Sequence, residues 1–390
     1  MKEKKSMVKL QGDNRNLFIS TSLSQLCIGI SMTVVGSILP YVKAEYGLSY
    51  SVSGMMMSLQ SVGYFVTGLV AAFMPKIFGP KGSYLGLGSM AFLGFLMIIF
   101  TGNPFLLLMA MFMTGITKGA GGYFSNQFVC NMTESDAGAL NLMQAFFAVG
   151  ACLAPLIVMF CGSAWRMALA IIIAFGVIFI GHGLTVRISE DAYHEEPQEN
   201  VGAGYAFFKT KTFWICIVML GAYLAFEASV MGWLVTFLTQ KEIAGDATIQ
   251  MLSTAMWISL LIGRLSAAKL AEKFSPKQLL LGMAVGMLVF FAFLLWGGNL
   301  IIVTIGTVGV GLSMAGIYGT AVANTGDMIS RYPMCMSMVI IIPGIISAIV
   351  PSIVGNLADA AGVQTGMTSL YVVVAIFAAV TLWDLLSARR

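Results

Sequence analysis

Apolar runs long enough to cross a lipid bilayer follow one another along nearly the whole sequence. A helix that spans the hydrocarbon core needs about 20 mostly apolar residues. Only 10% of the 390 residues are charged and 58% are hydrophobic, whereas a soluble domain carries about 25% charged residues. The sequence therefore excludes a soluble enzyme, a disordered chain and a secreted disulfide scaffold. It predicts an all-α polytopic membrane protein.

Twelve apolar runs are separated by glycine, proline and charged residues. The first six are expected at about 17–43, 50–75, 82–101, 104–131, 137–161 and 165–187. The second six are expected at about 210–239, 247–271, 278–297, 300–328, 332–357 and 366–387. The acidic, polar stretch between the two sets indicates a linker. The predicted organisation is an N-terminal half (1–187), a cytoplasmic linker (188–209) and a C-terminal half (210–390).

Lysine and arginine are distributed unevenly between the predicted loops, which predicts the orientation in the membrane. With the amino terminus inside, 17 of the 21 basic residues fall in cytoplasmic segments, three fall on the opposite side, and Lys118 lies within a span. We therefore expect a multi-pass protein of the cytoplasmic (inner) membrane with both termini in the cytoplasm. The first apolar run lacks a small-residue cleavage pattern, so it is expected to be retained rather than removed as a signal peptide.

The two predicted halves resemble each other. The segments 68–81 and 263–277 both place a glycine near the end of an apolar run, followed by a basic turn that closes on Pro-Lys. The stretches Asn103–Asn126 and Asn299–Asn324 match at an offset of about 196 to 198 residues. Two six-helix halves repeated in parallel resemble the major facilitator superfamily, whose substrate sites lie near the midplane between the halves. The resemblance implies a secondary transporter that works by alternating access.

Two ionisable residues fall near the middle of predicted spans, where a charge is costly and marks a candidate functional site. Lys118 shares a helical face with Gly122 and Asn126 at i, i+4 and i+8. It would bind an anionic group, pair with Glu227, or reach towards water as a structural lysine. Glu227 is a candidate for proton coupling, for accepting a hydrogen bond from a substrate hydroxyl, or for a structural pair with Lys118.

Polar and aromatic side chains supply further candidates. Gln25 belongs to a polar stripe in the first span, and Tyr318 and Asn324 follow a glycine-rich stretch in the tenth. Arg264 and Asp384, near the inner ends of their spans, are expected to have structural or gating roles. The six cysteines form no CxxC pair and the chain has no Walker A sequence. We therefore expect no metal, no cofactor and no nucleotide-driven pump.

The segment Ala139 to Pro155, ALNLMQAFFAVGACLAP, resembles the fucose–galactose–glucose:proton symporter family, which carries a Leu-Asn-x-x-Gln-x-Phe run. The runs around Gly232-Trp233-Leu234, Gly263-Arg264-Leu265 and Gly316-Ile317-Tyr318 are similar to that family as well. The resemblance implies that five side chains face a central cavity, namely those of Asn126, Asn141, Gln144, Glu227 and Trp233. Departures from the family are Ser37 and Gly122, which replace its carboxylates in the first and fourth spans, and Phe147, which replaces an asparagine.

Together these features predict a secondary active transporter of a small polar solute, a sugar or sugar derivative, with a proton as the candidate co-transported ion. The predicted binding residues are Lys118, Asn126, Asn141, Gln144, Glu227, Trp233, Gln25, Tyr318 and Asn324, with Glu227 also as the coupling residue. The chain is expected to act as a monomer in the bilayer, without a nucleic-acid partner. The first alternative is a small organic-anion carrier that uses Lys118 as the charge partner of its substrate. Drug efflux and a non-transporting membrane sensor are further alternatives.

Overall fold

The computed structural model describes residues 12–71, 73–132, 137–188, 205–325, 328 and 333–387. Secondary structure within these ranges is helical. The helices are α1 (Gly12–Tyr46), α2 (Tyr50–Val70), α3 (Pro75–Gly88), α4 (Met90–Phe100), α5 (Pro104–Met132), α6 (Ala137–Cys161), α7 (Trp165–Thr185), α8 (Lys211–Gln240), α9 (Asp246–Leu270), α10 (Pro276–Trp296), α11 (Leu300–Met314), α12 (Ile317–Ala323), α13 (Pro333–Ala361) and α14 (Val363–Ser387). A short 3₁₀ helix, Tyr205–Lys209, precedes α8. Most of the predicted linker lies outside the described residues.

Eleven helical segments of the described chain are long and apolar enough to cross a membrane. The helices α3 and α4 together form one such segment, Pro75–Phe100, and α11 and α12 together form another, Leu300–Ala323. The remaining helix, α2, is 21 residues long and contains several serines and a glutamine, which lower its hydropathy. It supplies the twelfth segment. The prediction of an all-α polytopic membrane protein with twelve transmembrane helices is confirmed.

The third membrane segment begins earlier than the sequence predicts. We expected it at about 82–101, but α3 already begins at Pro75. Proline is tolerated in the first turn of a helix because the amide it lacks would have no partner there. Gly79 then adopts φ 70° and ψ 163°, a backbone conformation that glycine reaches without steric strain. The glycine and the following proline therefore bend the helix instead of preceding it.

The described residues divide into two compact units. The first unit comprises Met1–Val34 and Val62–Pro197, and the second comprises Val35–Ser61 and Gln198–Arg390. The helices α1 and α2 are therefore each shared between the two units. The segment 35–61, which the sequence assigns to the N-terminal half, packs with residues of the C-terminal half.

The first unit is held together by close helix crossings at glycine. A Cβ atom at Gly29 of α1 would overlap the carbonyl oxygen of Phe147 in α6, and one at Gly150 of α6 would overlap the carbonyl oxygen of Leu26 in α1. The two glycines therefore form one reciprocal contact, in which each backbone lies directly against the other. Small residues are typical of such membrane interfaces, since helices in lipid associate through close packing rather than through the hydrophobic effect.

Replacing either glycine by alanine is expected to destabilise the first unit by about 1–3 kcal/mol, because backbone atoms cannot move aside as a flexible side chain can. The matched control is Gly181→Ala in α7, where an added Cβ would meet no atom within 4 Å. Thermal unfolding of the purified protein in detergent would measure the difference. A midpoint for Gly29→Ala and Gly150→Ala as high as that of Gly181→Ala would contradict this description of the crossing.

The second unit is built around α8. Phe226, Val230 and Trp233 of this helix are fully buried, and the helix packs against α9, α13 and α14. Phe226 meets Phe291 of α10 edge to face, with ring centroids 4.9 Å apart. A helix that is apolar on all sides is expected in the interior of a bundle, so the sequence of α8 accounts for its central place in this unit.

The segment Val35–Ser61, formed by the ends of α1 and α2, is fixed to the rest of the second unit by polar contacts. The carboxylate of Asp359 in α13 accepts hydrogen bonds from the backbone amides of Tyr50 and Ser51, both at 2.7 Å, and from the Ser51 hydroxyl. A carboxylate at this position satisfies unpaired amides and complements the positive end of the α2 dipole. The Tyr41 hydroxyl donates to Asp246 Oδ2 at 3.0 Å.

Two further contacts of the segment Val35–Ser61 lie deeper in the second unit. The Ser58 and Ser352 hydroxyl oxygens are 2.8 Å apart. A Cβ atom at Gly54 would lie 2.5 Å from the carbonyl oxygen of Pro351, so α2 and α13 are in direct backbone contact there. The segment is thus attached both by side chains and by close packing.

Candidate functional site

In the first unit, the structure joins two of the predicted binding residues across α5 and α6. The Gln144 side-chain amide donates to Asn126 Oδ1 at 3.1 Å, and both side chains are exposed. The Asn126 amino group and the Gln144 carbonyl oxygen take no part in this bond. The pair therefore offers both a donor and an acceptor, the combination that a solute hydroxyl requires.

Lys118 lies on α5, the helix that also carries Asn126, and its side chain reaches Tyr64 of α2. Its Nζ atom is 4.7 Å from the centroid of the Tyr64 ring, a distance at which a cation is attracted to the aromatic face. The side chain is half-buried. Eight residues separate Lys118 from Asn126, which corresponds to about 12 Å along an α-helix.

The glycines beside Lys118 have two different roles. A Cβ atom at Gly119 would lie 2.7 Å from the Tyr64 carbonyl oxygen, and one at Gly121 would overlap the Ile28 side chain, so these two glycines allow close packing. At Gly122 an added Cβ would meet no atom within 4 Å. The side of α5 between Lys118 and Asn126 therefore borders open space.

Gln25 and Asn141 are the other two predicted binding residues of the first unit. Gln25 of α1 is 3% exposed, and its side-chain amide nitrogen has no hydrogen-bond partner among the described residues. A buried donor without a hydrogen bond lowers the stability of the fold by about 1–3 kcal/mol. A hydrogen bond to a bound solute or water would remove this cost. The side chain of Asn141 lies outside the described part of the chain.

The second unit contains a cavity of about 570 Å³. It is bordered by residues of α8, α9, α10 and α12 and by the α11–α12 junction. Its polar lining includes two of the predicted binding residues, Glu227 and Tyr318, together with Tyr223, Arg264 and Thr320. A cavity of this size is within the range of small-molecule sites, about 300–1,000 Å³.

Tyr223 lies between the two charged groups of this cavity. Its hydroxyl donates to Glu227 Oε1 at 2.9 Å, and it also interacts with the guanidinium of Arg264. Arg264 is exposed, and it forms no ion pair within the described ranges. The sequence analysis gave Arg264 a structural or gating role and did not place it beside Glu227 in a cavity. The available signal was its position inside an apolar run, directly after Gly263.

The cavity is also bordered by a break in the tenth membrane segment. The helix α11 ends at Met314 and α12 begins at Ile317, so Ala315 and Gly316 interrupt the apolar segment. Irregular backbone at membrane depth is tolerated where it is buried in protein or lines a cavity. A Cβ atom at Gly316 would overlap the Cβ of Ala267, so glycine is needed for this junction to approach α9.

Two predicted binding residues, Trp233 and Asn324, do not line this cavity and are hydrogen-bonded to other protein groups. Trp233 is fully buried, and its indole nitrogen donates to the Pro351 carbonyl oxygen at 3.3 Å. The Asn324 amide donates to Asp384 Oδ2 at 2.8 Å. Asp384 also forms an ion pair with Lys277 at 2.9 Å. This three-residue cluster joins α10, α14 and the end of α12.

The fold and the family comparison together define the class of protein. The family model of the Major Facilitator Superfamily matches residues 21–332, and the chain therefore belongs to this superfamily. It is a multi-pass membrane transporter and not an enzyme. The membership confirms the fold that the resemblance implied. No curated protein is similar enough in sequence to match.

Solved structures of transporters are similar to this chain over nearly their whole length. The nucleoside transporter NupG is 14% identical, with a TM-score of 0.78 and coverage of 97% of this chain and 100% of that chain. The D-xylose-proton symporter is 15% identical, with a TM-score of 0.75 and coverage of 95% and 96%. The E. coli fucose:proton symporter FucP, in a form with one substitution, is 17% identical, with a TM-score of 0.60 and coverage of 94% and 98%. At these identities the likeness shows the fold.

Proposed function

We propose that this transporter is a secondary active carrier of a small polar solute, a sugar or sugar derivative, across the cytoplasmic membrane by alternating access. The observation that carries the proposal is the exposed amide pair of Asn126 and Gln144 in the first unit. Two amides held together in this way suit a solute with several hydroxyl groups, because each can donate and accept hydrogen bonds. The names of the structural neighbours, a nucleoside transporter and two sugar–proton symporters, agree with a hydroxylated solute.

Lys118 extends the proposed site along α5. Open space at Gly122 separates it from the amide pair, and a mid-span lysine is expected to serve a function because of its cost in the membrane. We assign it the role of contacting a polar group at one end of the solute, while the amides contact hydroxyl groups at the other end. Glu227, in the cavity of the second unit, is the proposed proton-coupling carboxylate.

The test of the proposal is ligand-induced thermal stabilisation of the purified full chain, measured against neutral sugars, sugar acids and small carboxylates. Asn126→Ala and Gln144→Ala are each expected to weaken binding of the stabilising solute about 10-fold, because each removes hydrogen bonds of about 0.5–1.5 kcal/mol and exposes an unpaired partner. The control is Gln364→Ala, which removes an amide bonded to the Leu295 carbonyl in the second unit and should leave affinity unchanged.

Two results would contradict the proposed function. One is wild-type affinity in both amide variants for the solute that stabilises the protein. The other is a wild-type protein that responds to lipophilic cations and to no hydroxylated compound, which would favour drug efflux instead.

A further inference from the structure

The cavity of the second unit presents both signs of charge to the same volume. Glu227 and Arg264 both line it, on α8 and α9, and Tyr223 contacts each of them. The carboxylate already accepts a hydrogen bond from Tyr223, whereas the exposed guanidinium has no carboxylate partner among the described residues. Asp384 of the same unit forms an ion pair with Lys277, so Arg264 is not required to neutralise that acid.

We propose that Arg264 is the anchor for a carboxylate group of the transported solute, and hence that the solute is a sugar acid rather than a neutral sugar. The inference rests on the proposed function, which it narrows from polar solutes in general to hydroxylated acids. The site consists of Arg264 as the anion partner, Glu227 and Tyr223 as hydrogen-bonding groups, and the backbone around Gly316 and Gly319 as one wall.

The chemistry of the lining favours a carboxylate at one end and hydroxyl groups at the other. A guanidinium presents a planar fork of N–H donors that matches the two oxygens of a carboxylate. The second oxygen of Glu227 can accept a hydrogen bond from a solute hydroxyl. A simple acid without hydroxyl groups would leave the second oxygen of Glu227 without this hydrogen bond, which is unfavourable for a half-buried acceptor.

A glycine of the cavity lining leaves space for a sugar ring. An added Cβ atom at Gly319 would meet no atom within 4 Å, and the side chain of Tyr318 beside it lines the same cavity. Gly316 allows the helix junction to lie against α9, the helix that carries Arg264. Tyr318 and the two glycines thus border the same volume as Arg264 and Glu227.

The experiment compares matched neutral and acidic probes, D-glucose with D-glucuronate and D-galactose with D-galacturonate, on the full-length purified protein. The structure predicts that at least one acid binds more tightly than its neutral partner. Arg264→Gln should weaken binding of that acid about 10- to 100-fold, since hydrogen bonds to charged groups contribute about 1.5–3 kcal/mol. It should leave the affinity for the neutral sugar within about twofold. Arg264→Lys keeps the charge but not the fork and should give an intermediate loss.

The control is Lys269→Gln, which removes one positive charge from the end of the same helix but does not line the cavity. An effect of this variant equal to that of Arg264→Gln would show a general electrostatic effect and overturn the assignment. So would a loss of acid preference in Lys118→Gln with none in Arg264→Gln. Preferential binding of neutral sugars would also overturn it while leaving the proposed function intact, whereas failure of all sugars and sugar acids to bind would reject the proposed function itself.

Discussion

A disulfide bond between cysteines placed at positions 58 and 352 is expected to stop transport completely, and reduction is expected to restore it. The two serine hydroxyl oxygens are 2.8 Å apart, so sulfur atoms placed at these positions would lie within reach of each other for a bond of about 2.05 Å. In the proposed alternating access, a contact between helices that closes one side of the carrier must open again in every cycle. A covalent link between α2 and α13 would lock the segment Val35–Ser61 to the rest of the second unit and prevent this step.

Uptake into proteoliposomes, with and without reductant, measures the effect of the Ser58→Cys/Ser352→Cys pair. Each single variant under the same oxidant is the control, because neither can form the new link. The six native cysteines are free in the structure, so mass spectrometry of the linked peptides must show that the intended pair has formed. Transport at the single-variant rate by fully linked protein would show that this contact does not open during the cycle.

Glu227→Gln is expected to abolish accumulation driven by a pH gradient while solute exchange continues. Glutamine keeps the size of the side chain and an oxygen that can accept the Tyr223 hydrogen bond, but it cannot bind and release a proton. If Glu227 is the coupling group, solute can still cross with the gradient or exchange across the membrane, and uphill transport fails. The comparison is proton-driven uptake against counterflow in the same proteoliposomes.

The matched control for this prediction is Glu242→Gln, which removes an exposed carboxylate in the connection between α8 and α9. Its uphill uptake should equal that of the wild type. Unchanged accumulation by Glu227→Gln would remove this residue as the coupling group. Loss of accumulation and exchange together would show that the Glu227 carboxylate is needed for solute binding or for the stability of the cavity, and would leave no evidence that it couples transport to protons.

Much of the fold follows from the sequence because the length of an apolar run is set by the thickness of the bilayer. The regular spacing of these runs therefore predicts twelve helices without knowledge of their contacts. The positions of the irregularities do not follow in the same way. The bend at Gly79 and the break at Ala315–Gly316 depend on what lies beside them, and a glycine or proline inside an apolar run is compatible with a bend, a break or a straight helix.

In the candidate site, too, the position of a residue on its own helix follows from the sequence, whereas its contacts with other helices do not. Asn126 and Gln144 were predicted on the faces of their own helices, but the bond between them depends on how α5 and α6 cross. Arg264 was given a structural or gating role because a basic residue near the end of a span is first of all a signal of topology. Only the arrangement of α8, α9 and α12 shows that its side chain lines the same cavity as Glu227 and Tyr318.

The attachment of Val35–Ser61 to the second unit also constrains how the protein can be made. The amides of Tyr50 and Ser51 leave the ribosome about 300 residues before Asp359, the carboxylate that they bind. At about 5–20 residues per second, roughly 15 to 60 seconds of translation separate the two partners. During that interval the two amides exist without the carboxylate that they bind in the finished protein. The second unit can therefore be completed only after α13 has been made, and a chain that stops before α13 leaves the segment Val35–Ser61 without these hydrogen bonds.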